Sequence, residues 1–590
     1  MFGHNQPFDL QRMPWGRKMS MFIVYEDFYN HDLYLSHVRT GILQSERKNL
    51  FRMQPVTGGE ILEYTYFADE KHLRMDTGKG SVELCLDELD QVRIRGRGVG
   101  LRLTCPMPGD KCEGLFDKRD GSIEISFGIA GKSLWLPLQG EMDRKISYDN
   151  EGSVSEIVIE FDPDDGGAFE AAAHEYILNR KRDAYYRPFD EIMQDSAESF
   201  KNFKNCYMPP VPGYEDTTNY AQYVVWTHMQ GRDGQNGAFK QPLVYMHRQW
   251  FAMAFSWQQS FNAMAMLNDT GEAWRLLTSL IDYQLDSGMF PGQISTFDVK
   301  TSVPQAAMQG FAFSHILENA GDGFLTPERC EKAYEPFCKW TRFWIEYHGT
   351  GEPDHLQYLN LYESGWDDGT VFINGIPCQA PDVYALVSLQ CEMCGKMAGV
   401  LGKTEEARAW NDRAKRFVDV LVKDYWDGET FVPVVTPTKE KVANRSLVSY
   451  LPIILGKRLP EHIVDKIART LIAEGEYLTD IGLTAESLKS PHVSFSRVFY
   501  VMGKVLSPAN MFITVGLKRA GKDKEAREIA RRWCDKIKKS GFLLGFAPLP
   551  TEVNGEPYID PNVPNAGDTW SWTSWSAACF LTVSHYVLNT

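Results

Sequence analysis

The fold is decided by residues 394–422, CGKMAGVLGKTEEARAWNDRAKRFVDVLV. An apolar stretch runs into a Gly turn. Thr-Glu-Glu-Ala then opens a stretch whose apolar residues recur three or four apart. That spacing predicts a helix hairpin whose first arm is apolar nearly all round and whose second is apolar on one stripe. Residues 261–285, FNAMAMLNDTGEAWRLLTSLIDYQL, and 511–539, MFITVGLKRAGKDKEAREIARRWCDKIKK, repeat the pattern. A helix apolar on every side must be buried on every side, and alternating inner and outer helices around one axis meet that demand. The repeats lie far apart, with long Gly-, Pro- and Trp-rich connections between them, which suits a closed ring better than a strict-period solenoid. Residues 215–590 are therefore expected to form an (α/α)6 barrel with its long loops gathered at one mouth.

Upstream the texture is different. ILEYTYFA (61–68), SVELCLD (81–87), QVRIRGRGVGLRLTC (91–105), SIEISFGIA (122–130), KSLWLPLQG (132–140) and SEIVIEFDP (155–163) alternate or cluster β-branched and aromatic residues between short turns. They predict an antiparallel β-sandwich over residues 1–165. Residues 168–200, rich in Ala, Glu, Lys and Arg, read as helical, which makes 166–214 a stretch of linker helices. The expected fold class is thus α+β and multidomain, an antiparallel β-sandwich followed by an (α/α)6 barrel.

A chain of 590 residues is too long for one core. Its net charge of −16 argues against nucleic acid and against anionic membrane surfaces as partners. No stretch approaches the ~18 apolar residues that span a bilayer. The first residues lack the apolar run of a signal peptide. The 11 Cys are odd in number and scattered, which fits a reducing, cytoplasmic location. Cys391 and Cys394 form a C-x-x-C pair, but one pair cannot fill a tetrahedral zinc site, and no metal is expected.

The chemistry concentrates in residues 358–387, YLNLYESGWDDGTVFINGIPCQAPDVYALV. Glu363, Asp367 and Asp368 flank Trp366 beside the aromatic Tyr362. Carboxyls next to an indole are what glycoside hydrolysis needs: one protonated to donate to the leaving oxygen, one ionised to activate water. An apolar wall raises the donor's pKa toward neutrality. The plainer alternative is an acidic turn capping the next helix.

Glu363-Ser364-Gly365-Trp366-Asp367 resembles the E-S-G-W-D signature of glycoside hydrolase family 63, the α-glucosidase and mannosylglycerate hydrolase group. In that family the Asp of the motif is the general acid of an inverting mechanism, and the resemblance implies that role for Asp367. Residues 256–263, SWQQSFNA, resemble the family's W-D-x-x-F-N-A, with Trp257 kept and Gln258 standing where the family has Asp. Core packing at i, i+4 accounts equally well for Trp257 and Phe261. Residues 288–295, GMFPGQIS, resemble a loop at the family's mouth and place Gln293 there. In 500–510, YVMGKVLSPAN, Tyr500, Gly503 and Asn510 match the family's Y-W-R-G-P-x-W-x-x-x-N, whereas Val501 and Met502 replace its Trp and Arg. Both departures imply a changed sugar subsite.

Residues 546–583 end in a Ser-Trp-Ser-Ala-Ala like the family's. The family's general base lies upstream in E-x-Y-x-P-x-x-G, which implies Glu556 or, with a longer insertion, Glu552. Trp570, Trp572 and Trp575 are subsite walls or barrel-end packing.

The resulting expectation is an inverting exo-glycosidase acting on an α-linked oligosaccharide or small glycoside, using only protons and water and no cofactor. Asp367 is its acid and Glu556 or Glu552 its base. Trp257, Gln258, Gln293, Tyr362, Glu363, Trp366, Asp368, Trp570 and Trp572 contact substrate or tune the acid. Two alternatives stand beside it. One is a polysaccharide lyase or sugar epimerase on the same toroid, with Tyr245, His247 and Arg248 as base and neutraliser. The other is a non-catalytic carbohydrate-binding protein.

Overall fold

The computed structural model describes residues 8–589 apart from 12, 28–29, 38–50, 89, 108–112, 119, 128–130, 177–184, 232–237, 249–251, 297, 322, 495–500 and 547–571. Among the described residues the N-terminal part forms two eight-stranded antiparallel sheets. The first runs, in spatial order, Trp15–Gly16, Phe22–Glu26, Leu33–His37, Phe51–Thr57, Gly100–Pro106, Val154–Asp162 and Glu141–Tyr148, with Glu60–Ile61 folded onto Phe51–Thr57. The second runs Glu113–Asp117, Ile123–Phe127, Lys132–Gln139, Ala168–Tyr176, Gln91–Arg97, Ser81–Asp87, Leu73–Asp76 and Thr65–Ala68. Their inner faces interleave: Phe51 meets Trp135 at 4.7 Å between ring centroids, and Phe161 stacks on Phe169 at 5.9 Å. This is the sandwich the alternating runs predict.

One boundary needs correction. Residues 168–176, expected to be helical linker, are an interior strand paired with Lys132–Gln139 on one side and Gln91–Arg97 on the other. Ala171, Ala172 and Ala173 are fully buried there. Ladder pairing on both edges outweighs the helix propensity of an Ala-rich run. The sandwich therefore reaches Tyr176, and of the 166–214 stretch the described helix is α1 (Phe189–Lys204). It lies on the second sheet, where Arg95 stacks over Phe189 at 4.1 Å and pairs with Asp190 at 2.8 Å.

The rest of the chain alternates outer and inner helices. These are α2 (Glu215–His228) then α3 (Ser256–Ala265), α4 (Thr270–Thr278) then α5 (Gln309–Asn319), and α6 (Pro327–Tyr347), the single-turn α7 (Leu361–Ser364) and α8 (Pro381–Val400). There follow α9 (Thr404–Val420) then the 3-10 segment Leu447–Arg458, α10 (Glu461–Ile472) then α11 (Ser507–Arg519), and α12 (Asp523–Ser540) then α13 (Ser574–Val583). The inner members close a ring: α3 packs on α5, α5 on α8, α8 on Leu447–Arg458, that segment on α11, α11 on α13, and α13 back on α3. This is the (α/α)6 barrel. Sequence texture matches position. In α8 every residue from Pro381 to Ala398 is buried except Glu392 and Lys396, whereas α12 buries one stripe that includes Ala526, Ile529, Ala530, Trp533 and Ile537. The ring is tight where small residues allow it: a side chain on Gly516 would meet the Ile453 backbone at 2.7 Å.

The two domains are tied by a buried arginine. Arg248 donates to the carbonyls of Thr227 (2.8 Å), Ser20 (2.7 Å) and Phe22 (3.3 Å), so one guanidinium joins α2 to the first sheet. Burial pulls its pKa down to about 10, against the smaller raising effects of Tyr245 and Asp90. Arg248→Met should cost about 2–4 kcal/mol, because buried carbonyls then lose their donor. The check is a urea titration followed by tryptophan fluorescence, and an unchanged midpoint would show that water satisfies those carbonyls instead.

Candidate active site

The loop before α8 is built to hold one carboxyl in place. Asn360 caps α7, its side chain accepting from Tyr362 N at 2.9 Å. The Glu363 carboxylate reaches back to accept from Leu359 N (2.7 Å) and Asn360 N (3.2 Å), while its other oxygen lies 3.3 Å from Nε2 of buried His348. His348 is itself stacked on Trp344 at 4.1 Å. Glu363 thus braces the loop through Oε2. Gly365 ends α7 in the left-handed region, φ 73°. Its Cα faces the Trp257 indole so closely that a methyl there would clash with the ring. Trp366 turns inward, 3% exposed, and its backbone N–H donates to Ser364 Oγ at 3.0 Å.

Asp367 follows, largely shielded. Burial, and second the charge of Asp368, push its carboxyl up to about 6. Asp368 is anchored: its Oδ1 accepts from Val501 N at 2.7 Å. Thr370 donates to Glu486 across the mouth at 2.7 Å. Behind the loop, Tyr358 donates to Asp382 at 2.8 Å, and burial lifts that carboxyl to about 7.

Trp257 and Gln258 open α3 beside this loop. Trp257 packs on Phe261 at 5.6 Å and on Trp575 at 4.9 Å, so the i, i+4 packing reading and the mouth position hold together. The indole N–H groups of Trp257 and Trp575 and the Gln258 side-chain amide are buried donors without an acceptor among the described residues. Buried donors are ordinarily paired, so these remain available to a partner outside the described residues. Gln293 lies across a two-residue ladder from Phe255, beside the start of α3. Tyr362 is 62% exposed at the rim.

Other expected residues sit elsewhere. Trp572 packs behind α13, against Phe542 at 5.2 Å and Tyr220 at 6.0 Å, whereas Trp575 joins Trp257. Asn510 pins the Gly482–Leu483 strand through Leu483 N (2.8 Å) and O (3.1 Å). Tyr500, Glu552, Glu556 and Trp570 lie outside the described residues. Of the residues weighed for a lyase, the Arg248 guanidinium is taken by carbonyls, and Tyr245 shares a hydrogen bond with Thr296 at 3.0 Å. Cys394 points at Thr341 Oγ1 (3.3 Å) within the helix packing, and the described groups include no metal-binding cluster. Glu486 and Thr370 were not singled out from sequence; a Glu between Ala and Ser in a polar loop carries no signal until the fold brings it to the loop of Asp367.

The family model of the mannosylglycerate hydrolase MGH1-like glycoside hydrolase domain matches residues 252–573. The chain belongs to this family. It is a glycoside hydrolase. Among solved structures, a family 63 mannosylglycerate hydrolase from Thermus thermophilus in complex with glucose is 15% identical, covers 62% of this chain and 99% of its own, and superposes with a TM-score of 0.50. A bacterial glucoamylase complexed with acarbose is 10% identical over 100% of this chain and 96% of its own, TM-score 0.61. A family 92 glycosyl hydrolase is 10% identical over 98% and 86%, TM-score 0.54. At these identities the likeness is one of fold, and the glucoamylase shares it over both domains. No curated protein matches the chain in sequence. Among the described residues no helix is long and apolar enough to cross a membrane.

Proposed function

We propose that this glycoside hydrolase inverts configuration at an α-linked oligosaccharide or small glycoside, releasing the terminal sugar. Asp367 protonates the glycosidic oxygen, and Glu556 or Glu552 activates water from the opposite face. The observation that carries the reading is Asp367 itself. A carboxyl held at about 6, in a loop braced at Glu363, Gly365 and Asp368, stays protonated where an ordinary Asp ionises. Trp257, Trp575 and Gln258 bring donors that have no acceptor among the described residues, and these serve sugar hydroxyls. Gln258 brings a neutral amide to the start of α3, which favours a sugar hydroxyl as acceptor. The reaction needs no cofactor, and the ten described cysteines, all of them buried thiols, accord with a reducing cytoplasm.

A substrate panel tests this. Mannosylglycerate, α-glucosides, α-mannosides and their aryl counterparts are offered, and the anomer first released is read by NMR. Release of the β-anomer from an α-glycoside supports inversion. The α-anomer would mean retention, and an unsaturated, ultraviolet-absorbing product would mean a lyase.

The pH profile gives a second check. The acid must carry its proton, so kcat/KM should fall about tenfold per pH unit above about 6. A rate that stays level to pH 8 would place the donor on another group.

A further inference from the structure

Glu486 is a buried carboxylate with no ion-pair partner among the described residues. It is 1% exposed, and its two oxygens accept from hydroxyls: Thr370 Oγ1 at 2.7 Å and Ser490 Oγ at 2.5 Å. The titratable groups facing it are His492 and Tyr477, neither hydrogen-bonded to it. Its backbone bridges Ser446, at the start of the inner segment Leu447–Arg458. An ionised carboxylate held by two hydroxyls and the Arg445 backbone N–H, with no cation paired to it among the described residues, still costs stability. Such a cost makes sense where the group holds something that must not move. Thr370 stands three residues after Asp367, in the turn that Asp368 ties at its other end to Val501.

We propose that Glu486 is the positioning residue of the acid loop: through Thr370 it clamps the turn that carries Asp367 against the barrel mouth and keeps water from that carboxyl. The inference rests on Asp367 as the general acid.

The test needs no substrate. Melting temperatures of the full chain are compared from pH 4 to 8 for wild type and Asp367→Asn, and for the same pair in Glu486→Ala and Thr370→Val backgrounds. With the clamp intact, the Asn protein should match wild type at pH 4 and melt about 2–4 °C higher at pH 7. With the clamp cut, water reaches Asp367, its carboxyl acidifies, and the pH 7 gap should shrink by at least half. Glu486→Gln keeps an acceptor for Thr370 and should restore the gap. Thr370→Val is nearly isosteric and carries the test if Glu486→Ala fails to fold. An undiminished gap in the cut background overturns the proposal, because a carboxylate of merely structural importance lowers both members of the pair equally. A gap missing even with the clamp intact overturns the acid assignment instead, and the clamp's purpose with it.

Discussion

Asp367→Asn should lower turnover of a natural disaccharide about 10²–10⁴-fold while the protein stays folded. The amide fills the same space but has no proton to give the leaving oxygen. An aryl glycoside with an activated phenol leaves unprotonated, so its hydrolysis should be largely spared. Loss of the base behaves differently: Glu556→Gln or Glu552→Gln, whichever is the base, should slow both substrates, and azide should restore rate by attacking in place of water. Stability supplies an independent sign. The folded-state pKa of Asp367 is raised to about 6. The native protein therefore holds a proton that the unfolded chain releases, and it loses stability as pH climbs from about 4 through about 6. Two pKa units amount to at most about 3 kcal/mol, less where solvent reaches the side chain. Asparagine has no such loss, so the variant should be the more stable protein at pH 7 and equal to wild type at pH 4. Near-normal turnover of the disaccharide by Asp367→Asn would move the acid to another residue.

Gly365→Ala should be the most damaging change that touches no ionisable group. The residue sits at φ 73°, where a side chain costs about 1–2 kcal/mol. The added methyl also meets the Trp257 ring, an overpacking that costs about 1–3 kcal/mol more. Asp367 lies two residues on, so a shift of even ~1 Å should cost about 10²-fold in rate. Urea midpoint and turnover should fall together. Adding Trp257→Leu should recover part of the stability and none of the turnover. Wild-type behaviour of the single variant would mean that the indole does not rest on this glycine.

What the sequence disclosed follows from where signals are local. The helix hairpins were legible because inner and outer helices differ in how many faces are apolar, and that shows within ~15 residues. The acid loop was legible because carboxyls, glycine and tryptophan crowd into five residues. The strand Ala168–Tyr176 was hidden, since its Ala-Ala-Ala run carries helix propensity and only pairing on both edges makes it a strand. Leu447–Arg458 is an inner member of the ring, yet Pro452 and a left-handed Gly456 make it a 3-10 segment that no helical period announces. Trp575 rather than Trp572 joins Trp257, because Trp575 lies in the first turn of α13 and Trp572 before its cap. Glu486 matters through a partner 116 positions away, and no local pattern encodes that.

The closure of the ring also has an electrical side. The first turns of α3 and α13 meet at Trp257 and Trp575, those of α11 and α13 at Ser507 and Ser576 (2.8 Å), and α8 begins with Asp382 beneath the acid loop. Helix starts carry a partial positive charge, and here several of them converge on one opening. A sugar losing its leaving group develops positive charge at the anomeric centre, which such an opening would repel. Asp368, Glu363, Asp382 and Glu486 stand at that end of the barrel. Where ionised, they offset the backbone's potential, as the oxocarbenium-like transition state of the proposed reaction requires.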